Sequence, residues 1–374
     1  MANVAVIGAG HAGVEAAFTL AKAGVSVTLF SDEAVAPYFR PRLIAVAFGQ
    51  TAATAIAIKP ATAYEQAGIT LKHEAVTQLD VSAKVVNGQA YDGIVLAQGA
   101  RPFLPKFNGV GAGRVKTLWS MEDAAKLQAL SKPGATLTII GGGVLGLEAA
   151  LRAASAGLQV TVVELAPALL GGVLGNNAEA VLRAALEAKG IALKIGVSVA
   201  EIDEAVVQLT DGTSVPAEIV LCSAGARPNA TLATNAGLLA EEGVRTNPDL
   251  SLAAGVYAAG DLARPTKQRP VCAVMRAMKM GALAANNLLS ELAGNPGVAW
   301  KEPRLPLFMK VDDVEFHTLG DVRATDVIEE RIDDGSDARV WKSVLKRGDS
   351  VVGLRWIGTR AGFADWEKQL PPQA

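Results

Sequence analysis

Short, solidly apolar runs alternate with longer stretches of helical period along most of this chain, and the alternation occurs twice in the same form. Val4 to Ile7 is an unbroken apolar run of the kind buried on both faces of a parallel sheet, and it predicts a strand over 3–8. Alanines and larger apolar residues at helical spacing follow over about 12–23, and a further apolar run predicts a strand over 25–30. Strand, helix and parallel strand make one βαβ unit. A helix around 60–67 and short alternating strands lead to Ala90, and Tyr91 to Leu96 reads as another buried strand.

The second unit repeats the plan with a helix over about 120–130, strand 135–140, helix 144–156 and strand 159–163, which ends at Glu164. Even the endings repeat. Leu96 runs into Ala97-Gln98-Gly99-Ala100-Arg101-Pro102, and the run Ile219 to Leu221 leads into Cys222-Ser223-Ala224-Gly225-Ala226-Arg227-Pro228. The Pro/Gly-rich segment 102–113 between the units reads as a crossover. Val256 to Asp261 predicts a short strand opening onto a turn, and a long helix follows over about 271–292. Beyond Trp300 the texture changes to short β-like pieces at 307–311, 339–346 and 350–358 with charged turns, which predicts a small α+β terminal domain.

Both units place a glycine fingerprint between strand and helix: Gly8-Ala9-Gly10-His11-Ala12-Gly13 and Gly141-Gly142-Gly143-Val144-Leu145-Gly146. One glycine makes the tight turn, one lets the backbone approach a pyrophosphate, and one lets helix and strand pack closely, while the helix N-terminus offers N–H donors and positive dipole. A lone fingerprint fits a structural turn equally well. Two, each in strand–turn–helix context, point to two bound dinucleotides and to an α/β fold with two Rossmann-like units.

Composition narrows the function classes. The chain has 374 residues, room for two or three domains, and a formal net charge of −2, which argues against a nucleic-acid surface and leaves small acidic protein partners open. No stretch of about 18–20 uncharged apolar residues appears, so no membrane span is expected. The N-terminal Met-Ala-Asn-Val lacks the basic start and apolar core of a signal peptide, and a cytoplasmic location is expected. Only Cys222 and Cys272 are present, far apart in sequence, which excludes a sequence-local redox disulfide and disfavours zinc or iron–sulfur ligation. His11, His73 and His317 are scattered and suggest neither a catalytic base nor a metal site. Met275, Met278 and Met280 read as core filling on the long helix.

The glycine signatures, both Gly-Ala-Arg-Pro endings and the Gly260-Asp261 turn, in this order, resemble the two-dinucleotide-binding-domain flavoproteins of the pyridine nucleotide–disulfide oxidoreductase fold over about 1–300. Within that superfamily, Tyr38-Phe39-Arg40-Pro41-Arg42-Leu43 resembles the Tyr-x-Lys/Arg-Pro-x-Leu segment of rubredoxin reductases and related ferredoxin-reductase-like enzymes. Leu292 to Pro296 and Pro303 to Val311 are similar to the rubredoxin-reductase end of the flavin domain. The resemblance implies an FAD domain over 1–110 and 245–300, interrupted by an NAD domain over 111–244, with a small C-terminal domain over 301–374. Two positions depart from the pattern: Ser31 stands where Glu164 stands in the second unit, and Gln98 stands where many relatives have Thr.

The resemblance further implies FAD on Gly8, Ala9, Gly10, Ala12 and Gly13, with Arg40, Pro41, Val76, Ala97, Gln98 and Gly99 around it. Ser31 or Asp32 would hold the adenosine ribose. Asp261 would accept from the ribityl hydroxyls, although a helix or turn cap is the competing reading; the helix beginning near Val271 would face the flavin, with Cys272 as a wall residue. NADH would lie on Gly141, Gly143, Leu145, Gly146 and Gly225, with Glu164 accepting its ribose hydroxyls and no Arg or Lys over 165–172 to hold a 2′-phosphate. Glu148, with Arg40 as its candidate cation, would form the catalytic pair where the rings stack; an exposed glutamate and arginine are the plain alternative. Arg264, Lys267, Gln268 and Arg269 make a basic loop on which an acidic carrier could dock.

The leading reading is an FAD-dependent NADH oxidoreductase that serves a small redox protein of rubredoxin or ferredoxin type. The missing cysteine pair disfavours disulfide reductases, and the absence of cysteine from 43–49 disfavours peroxide-reducing oxidases. A ferredoxin-type reductase component of a dioxygenase or nitrite system, a diaphorase passing electrons to quinones, and a non-catalytic flavoprotein that senses NADH are the alternatives. Nothing in the sequence sets an oligomeric state.

Overall fold

Two parallel sheets carry the two fingerprints. The computed structural model describes residues 1–267 and 271–372. The first sheet has six strands in the order Ser251–Ala253, Val256–Ala258, Gly93–Leu96, Asn3–Ile7, Ser26–Ser31, Ile69–His73. All neighbours are parallel except the first pair. The second sheet is Ala192–Ile195, Gln159–Glu164, Thr136–Ile140, Ile219–Cys222, parallel throughout. Parallel strands are covered on both faces, which is why Val4, Ala5, Val6, Ile94, Val95 and Leu96 are all fully buried and why these strands read as unbroken apolar runs. The helices His11–Lys22 and Val274–Leu292 pack together against the first sheet through Ala12, Ala16, Ala277, Met280 and Ala284.

The two Gly-Ala-Arg-Pro endings meet. Ala100–Pro102 and Ala226–Pro228 form an antiparallel ladder with Arg101 opposite Arg227, so each unit's last strand is extended into a ribbon shared with the other. Sequence echo here becomes physical symmetry. Trp119 adds to the junction by donating from its indole N–H to the Ala100 carbonyl at 2.8 Å.

Two expectations change, and the small α+β terminal region gains strands. The long helix begins at Val274, with Ala273 as its N-cap, so Val271 and Cys272 precede it in extended chain. Only Met280 fills core; Met275 and Met278 are 59% and 37% exposed, because their positions fall on the helix face turned away from His11–Lys22. The terminal region is a five-stranded antiparallel sheet, Leu307–Val311, Val314–Gly320, Ser350–Gly358, Trp341–Arg347, Ile328–Arg331, with the short helix Phe363–Glu367 against it. Two of those strands were not legible as strands: Val314–Gly320 buries His317 and Thr318, and Ile328–Arg331 is a fully exposed edge. Met309, Val311, Phe316 and Ile357 join Leu147, Leu182 and Leu186 in one core, so the terminal sheet is packed onto the second unit. Among the described residues no helix is long and apolar enough to cross a membrane.

Candidate cofactor site

The glycines of both fingerprints divide into those that pack and those that open. A Cβ on Gly13 would lie 1.8 Å from the Gly8 carbonyl oxygen, and one on Gly146 would lie 2.0 Å from that of Gly141. No other residue fits there. A Cβ on Gly10 or Gly143 would instead meet no heavy atom within 4 Å. These two residues are the N-caps of His11–Lys22 and Val144–Ser155, so bare backbone and free N–H groups face open space at both helix starts. That is the surface a pyrophosphate needs.

A cavity of about 670 Å³ extends from the first turn. Gly8, Ala9, Gly10 and Ala12 line it, as do Ser31, Asp32, Arg40, Pro41 and Val76. Ala97, Gln98, Gly99, Gly260, Asp261 and Cys272 complete the expected set on its wall, while Gly13 lies beneath the turn and Val271 projects to solvent. The remaining side of the same cavity is formed by Val144, Leu145 and Glu148, the first turn of the helix that follows the second fingerprint. Gly225 and Cys222 border a small adjoining pocket, which shares Leu145, Leu118 and Trp119 with the large one.

Three buried polar atoms on the cavity wall have no hydrogen-bond partner among the described residues: Nε2 of His11, Oε1 of Gln98 and Oδ1 of Asp261. Leaving such groups unsatisfied costs about 1–3 kcal/mol each, so the cavity is built for a polar guest. Burial pushes the Asp261 carboxyl up to about 6, opposed by the charge of Arg276, whose guanidinium also donates to the Gly260 carbonyl at 3.3 Å and pairs with Glu302. Burial lowers His11 to about 4, with help from the Arg40 charge, so its imidazole is neutral; its ring meets Phe39 edge-on at 4.9 Å. Two carboxyl or amide acceptors and a neutral imidazole aimed inward suit the hydroxyls of a polyol chain. The residues present fit FAD.

Arg40 does not pair with Glu148. Its guanidinium lies 3.2 Å from Glu33 and donates to the Trp119 carbonyl. Glu33 also accepts from the Tyr38 hydroxyl at 2.7 Å and from the Met121 N–H at 3.1 Å, which makes it a hub between the flavin-side loop and the start of the second unit. Sequence reasoning passed over Glu33 because its partners come from 88 residues away as well as from nearby. It passed over His11 because a lone histidine inside a glycine turn carries no ligand spacing. Glu148 is left facing the cavity with no ion pair among the described residues; burial raises its carboxyl, and Arg152 one turn along the helix opposes the shift. The Ser31 hydroxyl closes its own turn by donating to the Glu33 carbonyl at 3.1 Å, while Asp32 is exposed at the cavity edge.

Glu164 stands over the second turn. Its carboxylate accepts from the Gly142 N–H at 2.6 Å and the Ala166 N–H at 2.7 Å, one bond per oxygen, with further lone pairs open. Cys222 and Cys272 are both unpaired. Burial raises both thiols, that of Cys272 to about 12 with the added effect of its hydrogen bond to Asp261. In the basic loop, Arg264 folds back onto the carbonyls of Glu241 and Lys267, Lys267 is exposed, and Gln268 and Arg269 lie outside the described residues.

A family model described as pyridine nucleotide-disulphide oxidoreductase matches residues 2–281. The chain is similar to a rubredoxin-NAD(+) reductase of Pseudomonas putida, 34% identical over 277 residues that cover 70% of this chain and 71% of that one. It is also similar to the ferredoxin–NAD(+) reductase component of a p-cumate 2,3-dioxygenase system of Pseudomonas putida, 33% identical over 273 residues, 70% of this chain and 68% of that one. Among solved structures, a chain of the covalent putidaredoxin reductase–putidaredoxin complex matches at a TM-score of 0.85 and 26% identity, covering 98% of this chain and 92% of that chain.

Two variants test the site. Gly10 has an extended backbone with φ −78°, so valine is tolerated there without strain and its side chain fills only the guest's space. Gly10→Val should fold normally and lose most of its bound FAD; a folded variant with the wild-type flavin-to-protein ratio would contradict the assignment. For Asp261, the folded value of about 6 lies above the ordinary 3.8, so the cofactor-free protein binds this proton more tightly when folded. That stability is complete below the ordinary value and is lost as pH rises through about 6. Asp261→Asn should therefore raise the melting temperature of the FAD-free protein at neutral pH, change it little near about pH 4, and weaken FAD retention. Melting curves with equal pH dependence in both proteins would refute this.

Proposed function

Because the chain belongs to the pyridine nucleotide-disulphide oxidoreductase family, we propose that it is an FAD-dependent NADH oxidoreductase that hands electrons to a small carrier protein of rubredoxin or ferredoxin type. One observation carries the reading: the helix start that would bind the second dinucleotide also walls the cavity that fits FAD. Leu145 and Glu148 would hold a nicotinamide at the wall of the cavity in which Gln98 and Asp261 would hold the flavin, and the two groups bound together would supply the proximity that hydride transfer requires. Bound FAD would accept two electrons from NADH and release them singly.

The protein's own groups bind and orient. Gly10 and Gly143 admit the two pyrophosphates, Asp261 and Gln98 accept from the flavin side chain, and Asp32, free of the turn that Ser31 closes, accepts from the FAD adenosine ribose. Glu148, a carboxyl on the shared wall, orients the nicotinamide carboxamide. Arg40 and Glu33 act behind them by fixing the Tyr38–Arg40 loop against Trp119 and Met121. Two unpaired cysteines suit a reducing, cytoplasmic setting.

Nucleotide choice follows from Glu164. Its carboxylate suits two ribose hydroxyls and repels a 2′-phosphate, so NADH should exceed NADPH in kcat/KM by about tenfold or more. Glu164→Ala combined with Leu165→Arg should narrow the gap, Leu165 being exposed beside it. An unaltered enzyme that prefers NADPH would overturn the assignment.

With both thiols unpaired, electrons leave the flavin without a disulfide step. Cys222→Ser/Cys272→Ser protein should keep its NADH-dependent reduction of rubredoxin or ferredoxin. A variant that is reduced by NADH but passes nothing onward would reveal a thiol step, and failure of every iron–sulfur or rubredoxin-type carrier with success of a quinone would reassign the partner.

A further inference from the structure

The segment that follows Glu164 is held from outside its own unit. Leu170 donates its N–H to the Gly142 carbonyl at 2.9 Å, so this segment lies directly against the middle of the second glycine turn. Leu170 is in the left-handed region at φ 53°, and Gly171 and Gly172 follow at φ 62° and 74°. A left-handed leucine costs on the order of 1 kcal/mol or more and persists only where its surroundings impose it. Burial of Leu169 and Leu170 supplies part of that constraint.

Glu179 of the same unit adds to it by accepting from the Leu169 N–H at 3.0 Å, and the terminal region supplies two further contacts. Arg323 donates from Nη1 to the Gly171 carbonyl at 2.9 Å across 152 positions of sequence. Arg355 donates from Nε to the Val173 carbonyl at 3.0 Å, and a Cβ on Gly175 would lie 2.5 Å from its Nη1. Arg355 is itself fixed by Glu329 and by the Val322 carbonyl at 3.1 Å. Arg183 of the same unit donates to the Pro167 carbonyl at 3.3 Å, so it is the 171–173 part of the segment whose guanidinium clamps come from the terminal region.

We propose that the terminal sheet is part of the NADH-binding apparatus: Arg323 and Arg355 are positioning residues that hold 169–175 against the glycine turn and thereby set nucleotide affinity. This rests on the reading of the Gly141–Gly146 turn and Glu164 as the NADH site. Neither arginine touches the reacting rings, so the effect falls on binding and leaves the reducing step alone. Arg323 is the residue to change, because it is exposed and its removal leaves no cavity.

The test compares FAD-loaded wild type with Arg323→Ala by titration calorimetry against NAD+ and ADP-ribose, and by anaerobic rapid mixing with NADH. Both dissociation constants should rise about fivefold or more, with a matching rise in KM. FAD content and the flavin reduction rate at saturating NADH should stay at wild-type values. Arg323→Lys, which keeps one donor near Gly171, should recover part of the affinity. Unchanged dissociation constants, a fall in the saturating rate, or a loss confined to NADPH would each overturn the proposal. Hydrogen exchange of the unaltered holoenzyme gives a variant-free check: NAD+ should slow exchange at 169–175 and 321–324 together, and protection of 169–175 alone would contradict it. Wild-type protein that NADH cannot reduce would instead sink the reductase reading beneath.

Discussion

What this protein can do depends on the first turn of the helix Val144–Ser155 closing the cavity of the other unit. Val144, Leu145 and Glu148 line that cavity together with residues of the first unit, so the way the two halves pack sets the wall. The lock between them is apolar as well as polar: Leu43, Ile44, Val46, Ala47 and Phe48 share one buried core with Leu127, Leu147 and Ala150, and to this are added the Ala100–Pro102 and Ala226–Pro228 ladder, the Trp119 indole on Ala100, and Glu33 gathering Tyr38, Arg40 and the Met121 N–H. The bonds to Glu33 are part-buried, where charge-assisted hydrogen bonds are strong and a missing partner is costly. A small rotation between halves would carry Val144 and Leu145 away from the cavity that Gly8 and Gly10 also line.

The fold was largely legible because parallel strands leave the plainest trace in sequence. Val4–Ile7, Gly93–Leu96, Leu137–Ile140 and Ile219–Cys222 are buried on both faces, so they read as apolar runs, and the fingerprints mark where each feeds a helix. The terminal sheet was harder. Val314–Gly320 mixes apolar residues with the buried polar pair His317 and Thr318, and Ile328–Arg331 has only exposed side chains, so neither shows a clean period.

The candidate site was legible residue by residue and illegible as a network. Sequence order brought Asp261, Gln98, Arg40 and Glu148 to one cavity. It did not reveal that Arg40 answers to Glu33, because that partnership is set by how the loop after Ser26–Ser31 folds back under Tyr38. The same limit hid Arg323, which reaches the Gly171 carbonyl from the turn after Val314–Gly320. The cavity also carries a built-in cost in its inward-facing Asp261, Gln98 and His11, tolerated because a polar guest relieves it.

Under the proposed function the two dinucleotides meet ring to ring across the shared wall. The most direct test is anaerobic rapid mixing of the FAD-loaded protein with NADH and with NADH deuterated at nicotinamide C4, following loss of the flavin's yellow absorbance. Bleaching should be rapid, slow severalfold with deuterium on one face of the ring, and be unaffected by deuterium on the other. Bleaching that ignores deuterium on both faces, or a flavin that stays oxidised under saturating NADH, would contradict it.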